Sequence, residues 1–242
     1  MANFINLEHL PDTFNINRLS KLMHGKASKR MLNYAIVKLV KEKKLIKVKN
    51  GTYSKVGDVF YIANRVYGGY IGFSSALYLY GLKNELDAVV YVCTKSSEKK
   101  LKILDKIIEP INMSEQQYGT QIVDLSGKDI LVSTYPKTIF DMLAKPKYAN
   151  YFDMYRAMTI RPLSRIEWKE FLFYVKSANI TTIRRAGYAT EGIAPKWLTK
   201  KLNQLSKIGY RTSFFFKHKA KNYSSKWSIF DDLSMKSWYN GV

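Results

Sequence analysis

The sequence predicts a mixed α+β fold in three consecutive parts: two short helices with a hairpin, a small α/β domain, and a basic, mostly helical C-terminal region. Three observations predict it. Residues 15–41 hold two helical apolar stripes separated by a short basic turn, and KEKKLIKVKNGTYSK (41–55) alternates charge with apolar side chains around Asn-Gly. The middle alternates strand-like runs, VVYVCT and ILVST, with helical ones such as KTIFDMLAK. The last third combines capped helical stripes with a large excess of lysine and arginine. At 242 residues and 46 % apolar content, the chain can bury at least one good core.

The first element follows Pro11. In NINRLSKLMHG, Asn15 or Asn17 can cap a helix with Leu19, Leu22 and Met23 on one face and Gly25 just past its end. Ser28 can cap a second helix whose apolar stripe is Leu32, Ile36, Leu39 and Val40. Lys29, Arg30, Asn33, Tyr34, Val37, Lys38 and Lys41 are then left outward. Ile46 and Val48 point to one face of the next strand and Lys47 and Lys49 to the other. Asn50-Gly51 fits a type I′ turn, and Thr52, Tyr53 and Val56 begin the return strand. Helix, turn, helix and basic hairpin in that order describe a winged helix-turn-helix DNA-binding domain over residues 1–56. Its second helix would enter the major groove and its wing would follow a phosphate backbone. Arg30, Asn33 and Tyr34 could reach base edges, while Lys26, Lys29, Lys38, Lys47 and Lys49 suit phosphates. Ser28, Asn50 and Lys55 complete this candidate DNA-binding set. Lysine on a helix face or an edge strand also serves solubility and edge protection, so the order of elements carries more weight than any one cation.

Residues 57–150 form the small α/β domain. A helix is expected around 58–66, a break at Gly68-Gly69, a second helix near 74–80 ended by Gly81, strands at 89–94, 121–125 and 130–134, and a helix at 137–145. In residues 151–242, Ser164 and Glu167 make a capping box for a helix that buries Trp168, Phe171, Leu172 and Val175. A further helix carries Arg184 and Arg185. Pro195 opens another, with Leu198, Leu202 and Leu205 on one face, and Gly209 ends it. A strand is expected at 214–216.

The charge is uneven. Residues 1–55 carry 12 basic and 3 acidic side chains, 56–175 carry 15 and 13, 176–226 carry 12 and 1, and the tail 1 and 2, for a net +21. Two basic ends flank a nearly neutral middle, and a polyanionic partner, nucleic acid first, is the expected compensation. A second candidate nucleic-acid surface is Arg184, Arg185, Lys196, Lys200, Lys201, Lys207 and Arg211, with Tyr223 and Trp227 as aromatic neighbours. The single cysteine, Cys93, excludes an internal disulfide framework and fits a cytoplasmic compartment. No stretch approaches a membrane span.

Catalytic constellations are not expected. His9, His24 and His218 are isolated, so no metal site is expected, and without a phosphate-binding glycine motif no cofactor is either. Gly68, Gly69 and Gly72 then serve turns and close packing. A nucleotidyltransferase would need a second carboxylate after Asp87, and Val89 stands there. A nuclease would need one before Lys95, and Cys93 stands there. In a structural reading, Ser74 caps a helix and Asp87 begins a strand.

The succession NGTYSK, YIGFSSALYLYGL, VVYVCTK, VSTYPKTIFDMLAKPKYAN and RRAGYATEG resembles the AbiEi-type antitoxin regulators of type IV toxin–antitoxin and phage-defence systems. The likeness runs from residue 15 to 205 as short blocks. The most distinctive are Ser75-Ala76-Leu77 with Gly81-Leu82, Thr138-Ile139-Phe140-Asp141, and Arg184-Arg185-Ala186-Gly187-Tyr188. Pro136-Lys137-Thr138 stands where relatives often carry Glu-Arg-Thr, and no proline follows Gly51-Thr52-Tyr53. The resemblance implies a non-enzymatic repressor that binds double-stranded operator DNA, represses its own operon, and counters a nucleotidyltransferase-type toxin without stably binding it. The competing expectation is an RNA-binding or RNA-processing protein that works through the basic C-terminal third.

Overall fold

The computed structural model describes residues 7–23, 27–114, 118–208, 212–216 and 220–233. Lys26 and Arg211, and the helix-ending Gly25 and Gly209, lie outside the described residues. The fold is mixed α+β, organised as two compact units, one built from residues 1–71, 88–117 and 122–131 and the other from 72–87, 118–121 and 132–242. Among the described residues, no helix is long and apolar enough to cross a membrane.

The first unit begins with β1 (Thr13–Asn15), α1 (Ile16–Leu22), α2 (Lys29–Lys41), β2 (Ile46–Lys49) and β3 (Thr52–Ser54). The Asn15 side chain caps α1 by accepting from the Asn17 N–H at 2.8 Å, and Ser28 caps α2 by accepting from the Met31 N–H at 3.3 Å. The core joining them is Phe14, Ile16, Leu19, Leu32, Ala35, Ile36, Leu45 and Tyr53. Leu22 corrects the expected α1 stripe. It is 67 % exposed, because Ile16 and Leu19 take the inward positions. The hairpin stands where the alternation placed it, with Val48 buried and Lys47 and Lys49 exposed. Its turn differs from type I′: of Asn50 and Gly51 only the glycine is left-handed (φ 75°), and the register slips between Lys47 and Lys49, so a bulge absorbs the turn. β1 pairs antiparallel with β3, giving the strand order β1-β3-β2 and closing the sheet over the helices.

Asp12, just before β1, ties this part to the rest of its unit. Its carboxylate accepts from Lys128 at 2.5 Å, faces Lys55 at 3.5 Å, and accepts from the Tyr61 hydroxyl at 3.4 Å. Tyr61 belongs to α3 (Val59–Tyr67), which Asp58 caps. Buried Asn64 donates to the carbonyls of Gly69 and Leu131 at 3.0 and 3.2 Å. After α3 come β4 (Tyr70–Ile71), β5 (Val89–Thr94), β6 (Leu101–Ile103), β7 (Lys106–Asn112), β8 (Thr120–Asp124) and β9 (Asp129–Ser133), in sheet order β6-β7-β5-β4-β9-β8. β5 runs parallel to β7, and β4 antiparallel to β5. Gly69 is required for that last pairing, since a Cβ there would lie 2.0 Å from the Cys93 carbonyl oxygen.

The second unit holds α4 (Phe73–Leu79), α5 (Tyr135–Ala144), α6 (Tyr151–Thr159), α7 (Arg165–Lys176), α8 (Ile180–Thr190) and α9 (Lys196–Ser206). It also holds a small sheet of β10 (Ser213–Phe214), β11 (Asn222–Ser224) and β12 (Ile229–Asp231), in order β10-β12-β11. Gly72, not Ser74, precedes α4. Ser74 lies inside the helix and donates to Asp87 at 2.7 Å, and Asp87 sits ahead of β5 rather than in it. α7 opens on the expected capping box of Ser164 and Glu167. Within α5, Lys137 and Asp141 form an ion pair with both side chains fully buried, and the ammonium lies 5.3 Å from the Phe140 ring centre. Gly187 of α8 lies against Trp227, where any Cβ would collide with the indole.

The Lys128 hydrogen bond, with the charge of Lys55, holds the Asp12 carboxyl below its ordinary value. A carboxyl with a depressed folded pKa stabilises the fold above its unfolded value, and that contribution is lost as pH falls through the folded one. The stability difference between the native chain and Asp12→Asn, measured by urea unfolding, is therefore expected to be constant near neutrality and to shrink below about pH 4.

Candidate nucleic-acid interface

α2 is amphipathic by construction. Leu32, Ala35 and Ile36 face the core, and at about 100° per residue the opposite face is Arg30, Asn33, Tyr34, Val37 and Lys41, all exposed. Lys29 and Lys38 flank it. Residues 16–54 contain 11 basic side chains and one acid, Glu42. That carboxylate is held below its usual range by a hydrogen bond from Lys44, at 2.9 Å, and lies 3.8 Å from Lys38. On the hairpin, Lys47, Lys49 and Asn50 are exposed. The sequence-predicted residues on α2 and the hairpin are therefore solvent-facing, and an anion would meet them without displacing a buried partner.

Two of the expected contacts have other work. Ser28 commits its hydroxyl to the α2 cap. Lys55 donates to the carbonyls of Leu7 at 3.0 Å and Leu10 at 2.6 Å and pairs with Asp12, so its ammonium clamps the N-terminal segment.

The second expected surface divides more sharply. Arg184 is 2 % exposed, its guanidinium donating to the Ser206 carbonyl and the Ser213 hydroxyl, both at 3.2 Å. Arg185 donates to the Phe214 carbonyl at 2.9 and 3.1 Å and to Ala144 at 3.4 Å, and burial pushes its pKa down to about 10. Both arginines bind α8 to its neighbours and are not available to phosphate. This corrects the sequence expectation, which counted charge without knowing that α8 is buried on most sides.

What remains lies on α9. Lys196, Lys200, Asn203 and Lys207 recur at four, three and four residues, so they share one helical face, and Lys201 is exposed beside them. Lys196, Thr199, Lys200 and Asn203 line an open depression of about 360 Å³ with Glu191 and Lys226. Lys226 pairs with Glu191, which also accepts from the Trp227 indole at 2.7 Å. Sequence reasoning missed Lys226, because nothing in a strand-turn-strand segment marks it as a neighbour of α9. Asn203 was legible from helical spacing.

A larger open depression in the same unit, about 670 Å³, is lined by Lys83, Glu85, Asp87, Tyr151, Asp153 and Arg156 among others. There the Lys83 ammonium is shared by Asp87 at 2.9 Å and Asp153 at 3.3 Å, and the three carboxylates of the lining outnumber its two cations, Lys83 and Arg156.

The two kinds of cation separate in mutagenesis. Arg184→Ala strips donors from two buried acceptors and is expected to destabilise the chain by about 1–3 kcal/mol per orphaned group. Lys196→Ala with Lys200→Ala should leave the unfolding free energy within about 0.5 kcal/mol of the native chain. Denaturant titration of the two variants checks both.

No protein-family model matches the chain, and no curated protein does. Among solved structures, it is similar to the crystal structure of the RV2827C protein from Mycobacterium tuberculosis, with a TM-score of 0.64 at 12 % identity, covering 92 % of this chain and 87 % of that one. At that identity, the likeness establishes a shared fold.

Proposed function

We propose that this chain is a sequence-specific, DNA-binding transcriptional repressor of the AbiEi antitoxin type, and that residues 13–54 act as its winged helix-turn-helix. The observation that carries the reading is the order strand, helix, helix, hairpin, with the outward face of α2 and the hairpin lysines exposed in a segment of 11 basic residues and one acid. In this reading α2 enters the major groove. Arg30 suits the guanine edge and Asn33 the adenine edge, Tyr34 also reaches the base edges, and Lys29 and Lys38 meet the flanking phosphates. Lys47 and Lys49, on the solvent face of β2, hold the adjacent backbone. Repression follows from occupancy, since a promoter covered by the protein is closed to polymerase. Action against a nucleotidyltransferase-type toxin rests on the sequence resemblance alone.

A second reading, RNA binding through the C-terminal third, is favoured by one observation: the basic face of α9, with its depression at Lys196, Lys200 and Lys226. The buried arginines weaken it by removing two of its expected cations.

Each neutralised phosphate contributes about 0.9 to the slope of log affinity against log salt. Lys47→Ala with Lys49→Ala is therefore expected to weaken binding to every duplex alike and to lower that slope by about 2, whereas Asn33→Ala should narrow the gap between the native upstream duplex and a shuffled one. Salt-dependent anisotropy titrations measure both. An unchanged slope in the lysine variant would remove the hairpin from the contact surface.

A further inference from the structure

The face of α2 that the proposed function places in the groove is not uniformly polar. Tyr34 is 73 % exposed, Val37 51 % and Met31 50 %. Tyr34 and Val37 lie at the centre of the face opposite the buried stripe, between Arg30 and Lys41, and Met31 lies on its flank beside Lys38. Neither an isopropyl group nor a thioether contributes to phosphate neutralisation, and lysine would serve solubility better at each position. An apolar strip inside a basic surround calls for an occupant that is anionic at its edges and apolar at its centre.

Double-stranded DNA offers that combination in one place. In the major groove, thymine alone presents an apolar group, its C5 methyl, between two phosphate backbones, and its partner adenine presents the donor–acceptor pair that an asparagine amide matches. Resting on the repressor reading above, we infer that α2 reads A·T base pairs, with Tyr34, Val37 and Met31 against thymine methyl groups and Asn33 on adenine. Arg30, nearest the helix N-terminus, supplies the guanine-suited contact on this face. From Arg30 to Val37 the helix advances about 10 Å at 1.5 Å per residue, which covers about three base pairs at 3.4 Å each. The recognised core is then a short A·T run bordered by one G·C pair.

The test uses the full chain. Duplexes selected from a random library at about 150 mM salt, where non-specific binding is damped, are expected to be enriched in A·T pairs at the core. In the tightest duplex, each thymine is then replaced singly by deoxyuridine, which deletes the methyl group and keeps the Watson–Crick edge. Burial of one methyl corresponds to about a fourfold change in affinity, so a loss of that size is expected at two or more positions. Val37→Ser, a change at a half-exposed site that leaves the core untouched, is expected to abolish the deoxyuridine effect at one of those positions and retain it elsewhere. If full deoxyuridine replacement leaves affinity unchanged while preference over a shuffled duplex persists, methyl reading is overturned and the repressor reading stands. If the chain shows no preference among duplexes, both fall, and the strip belongs to a protein contact.

Discussion

Three buried side chains on α2, Leu32, Ala35 and Ile36, decide which residues of that helix face solvent. They lock the rotation of the helix against Phe14, Ile16, Leu19 and Tyr53. Because the helical period is 3.6 residues, fixing the inner stripe also fixes Arg30, Asn33, Tyr34 and Val37 outward. Truncating a buried Leu or Ile to Ala in such a small core costs about 2–5 kcal/mol, a large share of a domain's stability. The candidate interface is thus a consequence of hydrophobic packing. The Asn15 and Ser28 caps set where each helix starts, β1 closes the sheet on the other side, and Asp12 holds the segment through Lys128 and Lys55.

Net charge says little about a cation until its surroundings are known. Lys137 is buried with Asp141, Lys83 is shared between two aspartates, Lys55 and Lys128 converge on Asp12, and Arg184 and Arg185 satisfy carbonyl groups. These cations are structural. Those of α2, β2 and α9 face solvent, together with Lys95, Lys99 and Lys102 beside β5 and β6. Self-repulsion among these solvent-facing cations works against the compact state.

Much of this was legible in the sequence, and the exceptions have physical reasons. Caps and stripes act within one or two helical turns, so α2, α7 and α9 and the capping box of Ser164 and Glu167 could be read locally. β1 and β4 were not, because two or three residues carry no periodicity and exist only through their partners in β3 and β5. β6 and β7 escaped for a related reason: the segment from Leu101 to Asn112 contains Pro110 and several charges, and it is strand only through the pairing of β7 with β5 and of β6 with β7. The burial of Arg184 and Arg185 was illegible, since a charged pair on a helix looks the same to composition whether it faces water or backbone carbonyls. The Asn50-Gly51 turn falls where the sequence places it but is not type I′, since the register shifts between Lys47 and Lys49 and only Gly51 is left-handed.

The most direct test of the central claim is an anisotropy titration of the full chain at about 150 mM salt against the DNA immediately upstream of its own gene, a shuffled duplex of the same composition, and an RNA of equal length. A preference for the native duplex on the order of a hundredfold or more is predicted, since specific readers exceed their own non-specific binding by at least about that margin. Equal affinity for all three would contradict the account. It would reduce α2 and the hairpin to general positive charge and move the function to the basic face of α9.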